Sequence, residues 1–473
     1  MPRRPGGRPF DRSIVEGPVP RAVWKLAWPT MLQNVIAGMQ GLVGHVMVGN
    51  YVGYAGNAAI GISSQIYLVV IVFISSLFTG MGILVARFAG AGEKEKVNRT
   101  VYQAFLTAAA LSIGIVAPLG YFLAPSLVGL VGATPEVQAE ALPYLRILFV
   151  FSFGMMMFFM AGGAFRAAGD ARTPLRLGVG LTSLNITLCV ILIRGLGPIP
   201  SFGTAGAAMA TVISGAIISG VVLWLLLSRR HVVAFERGMS LAPDWRIIRQ
   251  LFRFGLPAGV QGVVMNIAGV LLLRFIGSLA LSAEAQAAYA VGYVQLFSLI
   301  TWTSIGLMGA TAAVAGQNLG AGRPERAIHG VRVSSRIGLL VALAVGAMFV
   351  LIPDALLAVF GMEDPVVVGL GIQLLSFLSV SGLFVTVALT YTGGLQGSGD
   401  TRSPLFISII SQVVIPLGLL AILQQLRGLE PADVWIAILL GHAARCLLSV
   451  ARYRQGKWRD IRVDIGPSSA PRR

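Results

Sequence analysis

Residues 161–175 read AGGAFRAAGDARTPL and residues 391–405 read YTGGLQGSGDTRSPL. Gly163, Gly169, Asp170, Arg172, Pro174 and Leu175 are each identical to the residue 230 positions on, for example 169 to 399. In local terms each copy is a helix stop followed by a helix start. Gly169 or Gly399 takes the left-handed conformation that ends one helix. Thr173 or Ser403 is then expected to cap the next helix, with Pro174 or Pro404 at its first position, where a missing amide proton costs nothing. Asp170 and Asp400 are expected to cap or pair locally, beside Arg172 and Arg402.

Working outward, Gly90, Ala91, Gly92 and Glu95 recur as Gly320, Ala321, Gly322 and Glu325 at the same offset of 230. Pro29 and Gln33 match Pro257 and Gln261 at 228, and Ala58 and Ala59 match Ala287 and Ala288 at 229. The chain therefore reads as a tandem duplication.

Composition sets the solvent. At 56% hydrophobic and 12% charged, with mean hydropathy +0.80, the chain carries more apolar area than one soluble core hides, which places it in a bilayer. The net charge of +17 sits in short connections between apolar runs, so it is read as orienting charge and not as a nucleic-acid surface. Cys189 and Cys446 fall inside apolar runs without metal-ligand spacing and are read as packed thiols, with no metal and no cofactor. The basic, Pro-rich start MPRRPGGRPF leads into an apolar run without a small-residue cleavage site, so no cleaved signal is expected.

Taking about 20 apolar residues per span, twelve spans emerge. The first half gives 22–48, 55–86, 98–123, 136–165, 174–194 and 204–228; the second gives 245–276, 284–314, 327–352, 365–394, 404–424 and 432–453. The expected fold class is all-α membrane protein, twelve transmembrane helices in two parallel six-helix lobes around a central cleft. Its domains are a tail (1–21), an N-lobe (22–228), a linker (229–244, read as a plain tether), a C-lobe (245–453) and a basic tail (454–473). Basic residues collect in alternate connections: Arg3, Arg4, Arg8, Arg12 and Arg21; Arg87, Lys94, Lys96 and Arg99; Arg172; Arg229, Arg230 and Arg237; Arg323 and Arg326; Arg402; and Arg452, Arg454, Lys457 and Arg459. That asymmetry places both termini in the cytoplasm. With an even number of spans per half, the halves insert in the same orientation, as parallel repeats whose substrate site lies near mid-membrane between them.

The GDxRxPL motif after a fourth helix, GAGxxE after a second and Pro-x-x-x-Gln in the first helix of each half together resemble the multidrug and toxic-compound extrusion (MATE) family. So do TMLQNVIAGMQGLVGHVMVGNYVG (30–53), GQNLGAGRPERA (316–327) and RYRQGKWRDIRV (452–463). The resemblance covers about 24–460. It implies a secondary transporter in the cytoplasmic membrane that exports drugs or organic cations, with a cationic or amphipathic small molecule as substrate, H+ or Na+ as coupling ion, lipid around it and no nucleic acid. It also implies membrane-embedded acids that this chain lacks. Leu42 and Val43 are followed by Gly44 where relatives carry Asp, Cys189 stands four residues after Asn185 where they place another, and the seventh helix offers Gln261, Met265 and Asn266 instead of Glu.

Candidate cation- or substrate-contacting residues are therefore the polar groups that remain inside spans: Gln33, Asn34, His45, Gln65, Asn185, Gln261, Asn266 and Gln295. Most of these are ordinary interhelical hydrogen-bonding groups, worth about 0.6 kcal/mol each on average. Gln33 and Gln261 are set apart because the duplication makes them equivalent. His45 is set apart because imidazole changes charge between about pH 5 and 8. Arg146 and Arg274 read as snorkelling side chains. His442 and Arg445, one turn apart, read as structural and toward the cytoplasmic end of the twelfth helix. The run GMMMFFM (154–160) reads as lipid-facing or core packing before it reads as an adaptable ligand wall. A flippase for lipid-linked oligosaccharides is the alternative function, and it calls for several Arg or Lys deep in the cavity. A channel lacks a filter-like repeat. An enzyme lacks GxSxG, HExxH, paired carboxylates and a phosphate-cradling GxxxxGK[ST].

Overall fold

A computed structural model describes residues 9–131, 134–236 and 242–465, and the side chains of 42, 45, 46, 54 and 68–75 are outside the description. The tail charges Arg3, Arg4 and Arg8, the linker's Arg237 and the His45 side chain thus lie outside the described residues.

The spans read from hydropathy are present as helical passages. They are α1 (Val19–Tyr51), α2 (Tyr54–Ala91), α3 (Lys94–Leu130), the bent pair α4 (Pro135–Val150 with Ser152–Ala167), α5 (Arg172–Arg194), α6 (Gly203–Ser228), α7 (Trp245–Gly277), α8 (Ser282–Gly320), α9 (Pro324–Leu351), α10 (Pro365–Ser398), α11 (Arg402–Leu426) and α12 (Pro431–Arg454). Among the described residues, nine of these are long and apolar enough to cross a membrane by themselves, and α4 becomes a tenth as one span bent by 53°. α1 and α2, at 33 and 38 residues, are about 50 and 57 Å long at 1.5 Å per residue, more than a 30 Å hydrocarbon core needs. The protein is an all-α, multi-pass membrane protein.

Three passages widen into π-helical turns, at Ser112–Val116, Ala290–Leu296 and Ile409–Val414. Two have a covalent cause. Pro118 and Pro416 cannot donate to the carbonyl four residues back, and their rings crowd it, so the turn before each proline opens.

The duplicated motif ends and begins helices as expected, with one correction. Gly169 (φ 100°) and Gly399 (φ 99°) are left-handed, as are Gly92 (φ 78°) and Gly322 (φ 70°) of the second repeated segment. The caps, however, are the aspartates. Asp170 Oδ1 accepts from the Arg172 and Thr173 amides at 3.1 and 3.0 Å, and Asp400 Oδ1 accepts from the Ser403 amide at 3.1 Å. Thr173 and Ser403 instead donate their hydroxyls to Oδ2 of Asp170 and Asp400 at 2.6 and 2.8 Å. The helices begin at Arg172 and Arg402, so Pro174 and Pro404 stand third and not first. The physical reason is reach: a carboxylate two residues ahead of the helix spans two amides, which a hydroxyl inside the first turn cannot.

The chain forms two compact units. Unit 1 is Met1–Arg12, Val35–Gly259 and Val463–Arg473; unit 2 is Ser13–Asn34 and Val260–Arg462. Each unit thus takes the opening segment of the other repeat. In unit 2, Gly306 of α8 lies so close to α1 that a Cβ there would stand 2.7 Å from Met31 Cα and 2.8 Å from the Thr30 carbonyl oxygen. In unit 1, Cβ atoms at Gly80 of α2 and Gly255 of α7 would stand 2.0 Å from the Leu251 carbonyl oxygen and 1.8 Å from that of Ser76. These backbone contacts require glycine.

The segments preceding α1 and α7 are held in the same exchanged manner. In unit 2, Ile14 and Val15 of the short helix Ser13–Glu16 are buried. Arg323 Nη1 donates to the Val15 carbonyl at 2.6 Å and Arg326 Nη2 to that of Gly17 at 2.6 Å. In unit 1, Val233 and Ala234 are fully buried. Asn98 accepts from the Ala234 amide at 3.1 Å and donates to Glu236 at 3.1 Å, Gln103 accepts from the Asp244 amide at 3.0 Å, and Arg99 pairs with Asp244. The described part of the linker is therefore tied to α3 and is not a plain tether. Phe235, packed edge-on against Tyr102 and Phe105, supplies the apolar part of that attachment.

Candidate functional site

The polar residues singled out inside spans divide by what already holds them. Gln261 is buried in unit 2, where its Nε2 donates to Ser408 Oγ at 2.7 Å and its Oε1 accepts from Gln396 Nε2 at 3.5 Å. It links α7, α11 and α10. Asn185 is buried in unit 1, donating to Thr211 Oγ1 at 3.3 Å and accepting from the Cys189 thiol at 3.9 Å. Cys189 therefore serves in packing, beside Leu192 and Ile193 in one apolar cluster.

Asn34 Nδ2 donates to its own helix at the Thr30 carbonyl (2.8 Å) and Asn266 Nδ2 to the Gly262 carbonyl (2.9 Å). Asn266 and Gln65 are exposed, and Gln33 and Gln295 are half-buried. Gln33 belongs to unit 2, in the exchanged segment Ser13–Asn34. His45 lies six residues before the end of α1 (45 to 51). Among the described residues, an added Cβ at Gly44, where the resemblance implies a carboxylate, meets nothing within 4 Å.

The repeated motif differs in load between its copies. Asp400 is buried and accepts from Arg452 Nε and Nη2 at 3.0 and 2.8 Å in addition to its cap. Asp170 is half-buried. Arg172 and Arg402 are exposed.

The Met-rich run also divides. Met156 and Met160 are fully buried core residues. Gly154 and Met157 line an apolar groove of about 560 Å³ with Phe151, Phe153, Met209 and Ile213, all within unit 1.

Sequence reasoning undervalued two positions. His442 and Arg445 stand twelfth and fifteenth of the 24 residues of α12, and both are buried, at 3% and 6% exposure. The hydropathy pattern held no signal of that burial, because one positive charge in a long apolar helix is compatible with either a lipid-facing or an inward-facing rotation. Arg146, read as snorkelling, lies with its guanidinium carbon 4.5 Å from the centroid of the Tyr121 ring.

Comparison with known proteins uses both repeats at once. The MatE family model matches residues 29–191 and 257–420, once in each half. The chain belongs to the MatE family. Among relatives, a probable multidrug resistance protein NorM of Thermotoga maritima is 27% identical over 437 residues, covering 92% of each chain. The probable multidrug resistance protein NorM of Deinococcus radiodurans is 30% identical over 453 residues, covering 92% of this chain and 94% of that one. The fold matches a solved multidrug resistance MATE family transporter of the MOP superfamily, seen outward-facing, at TM-score 0.87 and 24% identity over 94% of this chain and 97% of that one. The two matched ranges stop before α6 and α12, so the MatE signature resides in the first five helices of each repeat.

Proposed function

We propose that this MatE protein is a secondary active efflux transporter that exports amphipathic or cationic small molecules across the cytoplasmic membrane in exchange for entering H+ or Na+. The observation that carries this reading is the repeated match: both halves fit the family model, and relatives covering more than nine-tenths of the chain are named multidrug resistance proteins. A multi-pass all-α architecture supports it, because helices satisfy their own backbone groups in lipid. Both termini are proposed to be cytoplasmic, on the basic residues of alternate connections.

Gln33, Asn34, Gln65, Asn266, Gln295 and His45 are proposed as the polar groups that substrate or coupling ion meets first. Gln261 and Asn185 take part only by giving up bonds they hold in the resting structure. Expression in transporter-deficient cells, with ethidium accumulation measured with and without a protonophore at low and high sodium, tests the reading. Export abolished by the protonophore assigns H+, and export requiring sodium assigns Na+. Accumulation equal to that of empty cells would remove the proposal.

A further inference from the structure

Four buried polar side chains share one face of α12. Trp435, His442, Arg445 and Ser449 recur at helical spacing, and their exposures are 0, 3, 6 and 0%. Trp435 Nε1, His442 Nδ1, Arg445 Nε and Ser449 Oγ have no hydrogen-bond partner among the described residues. Each such orphan costs about 1–3 kcal/mol, and a cation in the middle of a membrane helix costs about 2.5–3.5 kcal/mol even on the lenient scale. A face that concentrates these costs calls for a compensating ligand.

The facing wall is aromatic and built on the π-helical turn Ala290–Leu296 of α8. The His442 ring lies nearly parallel to Tyr293 (centroids 6.4 Å, 9°) and to Phe297 (5.7 Å, 20°), and Tyr289 stacks on Tyr293 at 4.9 Å. Arg445 is near enough to the Tyr293 phenol to interact with it electrostatically. The wide turn closes through the Phe297 amide and the Gly292 carbonyl at 2.9 Å. Such turns recur at functional sites because they re-aim side chains.

Among the described residues, the helices α8, α10, α11 and α12 bring no free acid to this neighbourhood. α10, packed along α12, contains no Asp, Glu, Lys or Arg, and α11 contains only Arg402 at its start. Glu284, the acid of α8, stands nine residues before Tyr293, about 13 Å along the helix. Asp433 of α12 is held by Arg427 at 2.6 Å, and Asp400 by Arg452. A guanidinium keeps its proton throughout the physiological range, so donors and one fixed positive charge face inward without a counter-charge.

We infer that His442 and Arg445, with the Tyr293 phenol opposite, form an anion-binding site inside unit 2. The site takes one compact monoanion, either a halide or the carboxylate of a transported amphipath. The guanidinium fork fits a carboxylate in two-point fashion and attracts a halide strongly where water is scarce. Its His442 and Arg445 lie beyond residues 29–191 and 257–420, the segments that match the family model, while Tyr293 lies within the second. The carboxylate source rests on the export reading above; the halide source does not.

The test uses the full chain, purified in lipid nanodiscs, with thermal unfolding followed while sodium methanesulfonate, neither a halide nor a carboxylate, is replaced at constant ionic strength by sodium chloride or by sodium benzoate. A saturable rise in Tm with chloride identifies a halide site, and a rise with benzoate alone identifies a carboxylate site. In Arg445→Gln the half-saturating concentration is expected to rise at least tenfold. If that variant does not insert, Arg445→Lys keeps the charge, loses the fork and is expected to raise it severalfold. A Tm indifferent to both anions, or a midpoint unmoved by substitution, overturns the inference. Because binding is read without export, a failure of the efflux reading in cells leaves this result separately interpretable.

Discussion

Asp170 and Asp400 are the same residue of the same motif, yet they carry different loads. Asp170 caps a helix, and its loss is expected to cost about 1 kcal/mol, the ordinary value of a cap. Asp400 caps a helix and also holds Arg452 with both partners largely buried, and removing one member of such a pair costs about 3 kcal/mol. Thermal unfolding of the two Asp→Ala proteins in one detergent should therefore show Asp400→Ala lowering Tm well beyond Asp170→Ala, and equal shifts would contradict the assigned ion pair. His45 follows Gly44, where the family resemblance implies an acid. Under the proposed proton coupling, His45→Gln is expected to leave the protein inserted and to flatten the dependence of export on external pH. An unchanged pH profile would assign His45 to structure.

At the scale of elements, the glycines at helix crossings decide which helices pack together. Gly306→Ala drives a methyl group into the backbone of Met31 and Thr30, and overpacking of this kind costs about 1–3 kcal/mol. Gly220→Ala meets nothing within 4 Å among the described residues and gains up to about 1 kcal/mol from helix propensity. Opposite signs of ΔTm for two chemically identical substitutions are the expected result. An unchanged or raised Tm in Gly306→Ala would mean that the α8 and α1 backbones do not touch as described. The described linker residues act at this scale too: with Asn98 and Gln103 bonded to it, Asn98→Ala strands the Ala234 amide and should raise protease cleavage within 229–236.

For the whole molecule, the open question is orientation. Arg172 is exposed while Cys189 and Cys446 are buried, so a cysteine at position 172 reports with little background. A membrane-impermeant maleimide is expected to label Arg172→Cys in inside-out vesicles and not in intact cells. Labelling of intact cells would reverse the proposed placement of both termini. The exchange of opening segments also belongs here, since Ser13–Asn34 joins unit 2 and the start of α7 joins unit 1.

Hydropathy, the repeated GDxRxPL segments and the alternation of basic connections made the helices, the duplication and the family legible, because these depend on local chemistry and on a solvent that imposes helix length. Gly169 and Gly399 needed no tertiary information, since a left-handed stop followed by a start is written in neighbouring residues. Tertiary structure alone decided that aspartate and not Thr173 or Ser403 caps the next helix, that Gln261 and Asn185 are engaged by neighbours, and that the repeats trade their first segments. It alone turned His442 and Arg445 inward against Tyr293. The reason is that rotation of an apolar helix about its axis is set by what packs beside it: in lipid, both faces of such a helix read alike in sequence, and only contacts distant along the chain tell them apart.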